Sequence, residues 1–543
     1  MSPAGSFTRT ITYILHEVSH TTVINILVAL TVLFITANAL SYRRGLQAVN
    51  YLPGIRTVFH PFSIPGVLLP TAWWNPGISF LWKWRRTLYS YYGNDTISMV
   101  PLFFGAPMLY TSNIDVLRQV AASSGGRSFH KSESAGEIFT RWGMNIVVAD
   151  HDVWRKHRRI MGPAFTNKLY DAVWTESLKT YREMVAEEGW STQDQINIPA
   201  AQALTVKFAL LIIGKCGFGF PFKWADPART SDGRMSVQEA LRISADSFIV
   251  TLFTPWWMKA LPFKRFTEAR EATHELKTFM QAQVAERKVE IRSQGIAALD
   301  VFSMLVEASE NEEAKYKLDD SELIGNVYIM LFAGHETTAR ALAATIGLLS
   351  IHHEIQDEVY QQIISVAGNQ RDPVYEDYSR LNKVLAAFLE TLRIFPAAYQ
   401  LVREAFEDTV LQVPNPLGEE GVTALPVPKG TTLIVDMIGL QYNPRYFDSP
   451  DEYRPSRWYD VAHDSEAFSA FSIGPRQCIG RKFATTEAVG FLTMLLRDYK
   501  LEPVLQKDET KEIWRKRVLS AKLELTLGVE DVPVTFVRRR KLD

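Results

Sequence analysis

From residue 21 to residue 41 the chain runs without a formal charge, and Val23, Ile24, Ile26, Leu27, Val28, Leu30, Val32, Leu33, Phe34 and Ile35 make up most of its apolar mass. Wound as a helix, such a stretch is about 30 Å long, the hydrocarbon thickness of a bilayer. Arg43 and Arg44 follow at once. The pattern predicts a transmembrane anchor over 21–41, with residues 1–20 in the lumen and the bulk of the chain facing the cytosol. A cleaved signal peptide is the rival, because Ala37-Asn38-Ala39 has cleavage-site spacing. The long apolar stretch, with basic residues after it rather than before, favours the anchor.

Leu52-Pro53-Gly54 and Pro61 to Gly66 interrupt helix and strand, so 42–66 reads as a stiff linker. Residues 67–543 show no repeat and no break in composition. Turn residues and alternation predict strands within 54–107 and 414–437, and helical periodicity dominates from about 199 to 401. The reading is mainly α with a small β part. Proline is absent from 321 to 352, and Asp319 with Glu322 forms a capping pair, which predicts one helix about 45 Å long. Its middle carries Ala333-Gly334-His335-Glu336-Thr337-Thr338, where glycine and polar groups interrupt apolar flanks.

With 543 residues and 47% hydrophobic content the chain can bury a large core, and its net charge of −1 gives no preference for nucleic acid. Cys216 and Cys478 are the only cysteines. A reducing, cytosol-facing compartment fits that economy. Cys216, in the apolar run 210–220, reads as core.

Cys478 stands in Phe471-Ser-Ile-Gly474-Pro-Arg476-Gln-Cys478-Ile-Gly480, and Phe483, Ala484, Ala488, Phe491, Leu492 and Leu495 predict a helix starting just beyond it. Glycines let backbone approach the sulfur, Arg476 adds a cation, and Phe471 would wall off water. A helix N-terminus favours thiolate, and a thiolate can ligate haem iron. The residues alone leave other readings: a small buried hydrophobe, a zinc ligand lacking near companions, or a nucleophile with a distant histidine.

Phe-x-x-Gly-x-Arg-x-Cys-x-Gly resembles the haem-thiolate motif of the cytochrome P-450 monooxygenases at all five fixed positions, and Phe483-Ala484-x-x-Glu487 continues the likeness. The resemblance covers roughly 51–527 and is nearest to membrane-bound fungal, microsomal (class II) members. It implies the cytochrome P-450 fold, a single large haem domain over 67–543 behind the N-terminal helix, and haem b held by Cys478, with Phe471, Gly474, Arg476 and Gly480 around it. By the same likeness Ala333 and Gly334 leave room for dioxygen, while Glu336 and Thr337 relay protons. Glu390 and Arg393, in Phe388-Leu-Glu390-Thr-Leu-Arg393, with Arg457 of Tyr453-Arg-Pro455-Ser-Arg457-Trp458, become a structural triad behind the haem. Alone, an i,i+3 ion pair would carry little weight, since exposed ones contribute only tenths of a kcal/mol. Trp154, Arg158, Arg403 and Arg476 become clamps for the haem propionates. Arg155, Lys156, Arg159 and Lys482 read either as a solvated face or as a dock for an acidic electron donor. One departure is Gln441, where many relatives carry histidine.

The activity so implied is NADPH- and O₂-dependent insertion of oxygen into C–H bonds, at the endoplasmic reticulum membrane. The chain shows no flavin or nicotinamide fingerprint. Electrons are therefore expected from a separate NADPH-cytochrome P-450 reductase, with cytochrome b5 as a further partner. The aromatic, proline-broken stretch 248–263 reads as a membrane-touching flap, which favours a lipophilic substrate, a terpenoid or sterol with triterpenoids first, in secondary metabolism. Ile146 to Val148, Leu331, Phe332, Ala397, Ala398 and Tyr399 are pocket candidates. Alternatives are an aromatic, xenobiotic or fatty-acid hydroxylase of the same family, a reductase-independent haem-thiolate isomerase, and a haem sensor.

Overall fold

The computed structural model describes residues 20–123, 128–131, 137–247, 254, 258, 261–294, 300–310, 315–461, 468–523 and 526–539. Two compact units emerge, Met1–Ile78 with Ile97–Leu109, and Ser79–Thr96 with Tyr110–Asp543. Short segments of the two interleave along the chain.

In the first unit helix α1, His20–Ala48, is apolar enough over 27 residues to cross a membrane, and none of its most apolar window is buried. It runs seven residues beyond the expected 41 and keeps Arg43 and Arg44 within it. Strand β1, Gly54–Phe59, occupies part of the expected linker and pairs in parallel with β2, Thr96–Phe103, with Ile55 opposite Met99. A Cβ on Gly54 would lie 1.9 Å from the Ser98 carbonyl oxygen, so this glycine starts a strand where a breaker was expected. Phe34 of α1 stacks on Phe103 at 5.7 Å between ring centroids. Phe62, Ile64, Leu68, Trp73 and Phe104 of this unit are exposed.

The second unit is helical. Helix α2, His151–Met161, is capped by the Asp150 side chain, and α3, Asn167–Glu187, by Thr166. Helix α4, Ala201–Ile212, widens into a π-turn at Ile213–Gly217 and packs along α5, Asp320–Ile351. The 32 residues of α5 span about 48 Å. Its N-terminus shows the expected capping box: Asp319 accepts from the Glu322 N–H and Glu322 from that of Asp319. From Thr338 to Ile351 every residue is buried, which makes α5 the axis of the core. Helices α6, Asn382–Ile394, and α7, Arg481–Asp498, both pack on it.

Strand β3, Gln400–Ala405, pairs antiparallel with β6, Thr432–Asp436, and between them β4, Thr409–Pro414, and β5, Val422–Val427, make a hairpin. The β region therefore opens at residue 400, before the expected 414. Residues 400–404 are all half-buried, so the strand lacks the alternation by which a one-sided strand is read.

Candidate functional site

Helix α7 starts at Arg481 with Gly480 as its N-cap, so Cys478 sits two residues before the cap, as the apolar pattern predicted. The Cys478 N–H donates to the Phe471 carbonyl at 2.9 Å, and Gln477 closes back on Gly474 at 3.0 Å. Gly474 has φ +73°, a left-handed conformation that a side chain would strain, and its Cβ position lies 3.3 Å from Ala121. Cys478 lines a cavity of about 350 Å³ with Arg158, Tyr170, Tyr378, Arg481 and Lys482. Burial pushes the thiol up, while the Gly480 N–H, Arg158 and Arg481 pull it down, so without a bound metal the helix terminus does not win. Phe471 is half-buried, packed on Phe468 at 5.9 Å.

The triad is assembled. Arg393 donates to Glu390 through Nε and Nη2, both at 2.9 Å, and the two side chains are fully buried. Arg457 Nε reaches Glu390 Oε1 at 3.3 Å, and the Trp458 indole donates to Oε2 at 2.8 Å. Remaining Arg393 donors meet the carbonyls of Gln441, Pro450 and Glu452 at 2.8 to 3.0 Å. Two more N–H groups than the motif predicts therefore meet Glu390, the Trp458 indole and the Arg454 amide at 3.1 Å. The buried carboxylate is well compensated.

Along α5, Met330, Ala333, Gly334 and Thr337 form an i, i+3, i+4, i+7 stripe that stays partly accessible in an otherwise buried stretch. Leu331 and Phe332, expected in the pocket, pack in the core instead, and Met330 takes the open position. The Thr337 hydroxyl donates to the Ala333 carbonyl at 2.9 Å. Glu336 lies in the core, ion-paired with Arg340 and accepting from Thr526 at 3.3 Å. That clamp was not foreseen, and it ties up the carboxylate expected to relay protons. Gly334 also has a second reason to be small: its Cβ would lie 3.0 Å from Ile213 Cγ1 and 3.2 Å from Cδ1. Close packing against the π-turn therefore favours a residue without a Cβ.

Helix α2 is bolted to the start of α5 by Glu322, which meets Lys156 Nζ at 2.5 Å and His157 Nε2 at 3.3 Å, while Asn326 Nδ2 lies 3.0 Å from His157 Nδ1. Lys156 is thus no solvated-face residue. Lys482 is half-buried over the Tyr378 ring at 3.5 Å, and burial lowers it to about 8. Arg155 pairs with exposed Asp152, and Arg159 with the Tyr316 hydroxyl, so these two do lie at the surface.

The expected clamps divide into two groups. Arg476 lies over the Trp154 ring at 4.6 Å, donates to the Ala149 carbonyl at 2.8 Å and pairs with Asp150. Its Nε is buried without a partner, and burial lowers the group to about 10 despite Asp150, with Arg403 adding to the fall. Arg403 and Lys131 are likewise pushed down by burial, with Asp150 the carboxylate that supports each. Three half-buried cations thus share one carboxylate, and an added anionic group would relieve them. Arg158 does not join them; it lines the Cys478 cavity and feels the sulfur. Lys131 and Asp150, neither singled out in the sequence, belong to this cluster. Of the flap at 248–263, only residues 254, 258 and 261–263 lie within the described residues, and Leu261 and Phe263 are exposed.

A family model described as Cytochrome P450 matches residues 89–527. The chain is 33% identical to Cytochrome P450 monooxygenase 124 of Postia placenta over 94% of its own length and all of that protein's. It is 24% identical to human Cytochrome P450 3A5 over 88% of this chain and 94% of that one. Among solved structures, the cytochrome P450DA heme domain superposes with a TM-score of 0.71 at 20% identity, covering 90% of this chain and 98% of that chain.

Proposed function

The chain belongs to the cytochrome P450 monooxygenase family, and on that premise we propose that Cys478 would hold the haem iron as thiolate and that the enzyme oxidises a lipophilic terpenoid or sterol, triterpenoids first. The family uses a haem iron with cysteine ligation, and the residues present suit that group. Cys478 on its loop, a partly accessible stripe on α5, and three half-buried cations with an unpartnered Arg476 Nε suit a metal, a diatomic and two propionates. Arg403, Arg476 and Lys131 would take the carboxylates, with Trp154 as the plate beneath Arg476.

When bound, haem supplies the binding and activation of O₂. Cys478 then contributes negative charge, and its loop is fixed by the Phe471 carbonyl and, behind that, by the Glu390–Arg393–Arg457 network. Proton delivery we assign to Thr337, whose hydroxyl lies on the open stripe and can exchange its bond to the Ala333 carbonyl for another acceptor. Glu336 can take part only when its pair with Arg340 opens, so its first role is to anchor α5 to Arg340 and Thr526.

Electrons come from a separate NADPH-cytochrome P450 reductase, with cytochrome b5 as a second donor, docking near Lys482 and Arg481 beside the Cys478 cavity. We place the protein as a single-pass chain in the endoplasmic reticulum membrane, with the second unit on the cytosolic side. Helix α1 and the exposed Phe62, Leu68, Trp73 and Phe104 support a hydrocarbon-side supply of substrate. The place of Cys478, just before the N-terminus of α7 with its N–H held by the Phe471 carbonyl, carries the reading. Microsomes with reductase and NADPH, fed sterols, triterpenes, sesquiterpenes, fatty acids and aromatics, should yield a product 16 Da heavier from the first two groups; turnover only of aromatics or fatty acids would overturn the substrate class.

A further inference from the structure

Residues 79–86, the end of α6 and residues 512–523 enclose a basin of about 930 Å³ that the monooxygenase chemistry does not use. Its floor is apolar and buried, built on Trp82, Phe395 and Tyr442. Six cations line it, Lys83, Arg85, Arg86, Arg515, Lys516 and Lys522, against two carboxylates, Asp451 and Glu512. In a chain of net charge −1 this is a local excess of positive charge.

The pairings leave that excess standing. Asp451 is shared, its carboxylate held by Arg86 at 2.7 Å and its carbonyl by Arg515 at 2.7 Å. Lys516 meets Glu512 at 2.9 Å in an exposed pair, and Lys522 turns to Glu530. Lys83 is exposed. Arg85 is different in kind. Its guanidinium lies 3.7 Å from the Trp82 ring centroid and 5.2 Å from that of Tyr442, and Nη1 donates to the Trp82 carbonyl at 2.6 Å. The group also hydrogen-bonds the Tyr442 side chain, and its Nε is closed to water. A guanidinium stacked on an aromatic floor beneath a lysine rim has the chemistry that takes a phosphate: a fixed planar cation at the base and point charges above.

We propose that this basin binds the headgroup of an anionic phospholipid. The inference rests on the membrane placement proposed above and on charge complementarity. A phosphodiester would sit over Arg85 with its glycerol carbons against Trp82 and Phe395.

The test uses the full-length protein in phosphatidylcholine nanodiscs containing photoactivatable phosphatidic acid or, in parallel, photoactivatable phosphatidylcholine, with labelled peptides mapped by mass. Phosphatidic acid should label residues 79–86 and 512–523, and phosphatidylcholine should not. Lys83→Glu combined with Lys516→Glu, both on the exposed rim, should cut that labelling about fivefold or more, as expected where juxtamembrane cations govern attraction to anionic headgroups. Equal labelling by the two lipids, or labelling unchanged in the rim variant, overturns the proposal. Complete displacement by millimolar inorganic phosphate would assign the basin to a soluble anion and overturn the lipid source. Alkaline carbonate extraction separates the premises: a chain that stays in the membrane but is not labelled refutes only the basin, whereas one that is extracted refutes the membrane placement as well.

Discussion

Gln441 Nε2 donates to Ser469 Oγ across 2.8 Å, and both side chains are fully buried. The Gln441 carbonyl also accepts from Arg393, Ser472 closes on the Ser469 carbonyl at 2.7 Å, and Cys478 on that of Phe471. A hydrogen-bonded path therefore runs from the Glu390–Arg393 pair to the sulfur loop through the position at which this chain departs from many relatives.

Gln441→Ala should leave the Ser469 hydroxyl without its donor at a cost of about 1–3 kcal/mol. We expect haem content to be retained while the share showing the thiolate band falls in the carbon-monoxide difference spectrum of the reduced protein. Ser469→Ala should reproduce the effect. An unaltered spectrum in both variants would show that the path carries no load.

Arg393→Ala strands the Glu390 carboxylate in the core, and breaking a buried pair in this way costs about 3–5 kcal/mol. The expected outcome is protein with little or no haem, read as the ratio of haem to protein after purification. Arg457→Ala should be milder, because Glu390 keeps Arg393 and Trp458 and because Asp448, the other Arg457 partner, is exposed.

Gly334→Ala presses a methyl against Ile213 and should destabilise by about 1–3 kcal/mol, as overpacking does. Combining it with Ile213→Ala should recover much of the loss, so a double-mutant cycle on thermal unfolding should return a favourable coupling. Additive effects would mean that packing against the π-turn is not why residue 334 is glycine.

Thr337→Ala removes the hydroxyl on the open stripe. NADPH consumption with reductase should continue while product per NADPH falls about tenfold or more, at the modest end of what a positioned proton donor contributes, and peroxide accumulates in its place. Thr337→Ser should restore coupling. Unchanged coupling in the alanine variant would remove Thr337 from the relay.

Asp436 is fully buried and held up to about 7 by that burial, although the Gly439 N–H and the Tyr89 hydroxyl pull against it. A raised carboxyl means that the folded state keeps its proton longer than the unfolded one. The contribution is full below about pH 4 and is lost as pH climbs to about 7. Between pH 5.5 and 8 the protein should therefore lose about 2 kcal/mol from this group, and Asp436→Asn should flatten that slope in unfolding measurements. An equally steep profile in the variant would assign the pH dependence elsewhere.

Local pattern and motif order made much of the architecture readable in advance. The capping pair at Asp319 and Glu322, the helix after Cys478 and the Glu390–Arg393 fork all depend on neighbours within four residues, which a linear reading can see. The unforeseen contacts join distant positions. Thr526 meets Glu336 from 190 residues away, Arg476 meets Asp150 from 326, and Gln441 meets Ser469 from 28. Arg340 is the exception, since it lies four residues from Glu336 on the same helix face, just beyond the Ala333–Thr338 motif. Gly54 shows how a residue type can mislead: the same lack of a side chain that breaks a helix lets β1 approach Ser98.

The stack of Phe34 on Phe103, with Phe62, Leu68, Trp73 and Phe104 bare nearby in sequence, gives the chain an apolar foothold that does not belong to the N-terminal helix. Cutting the polypeptide after Ala48 would remove the apolar helix but not the exposed apolar side chains of the same unit, and would bare the face of Phe103 as well. A truncated protein made for crystallisation should therefore still partition onto vesicles and call for detergent, behaving as a peripheral protein and not as a freely dissolved one.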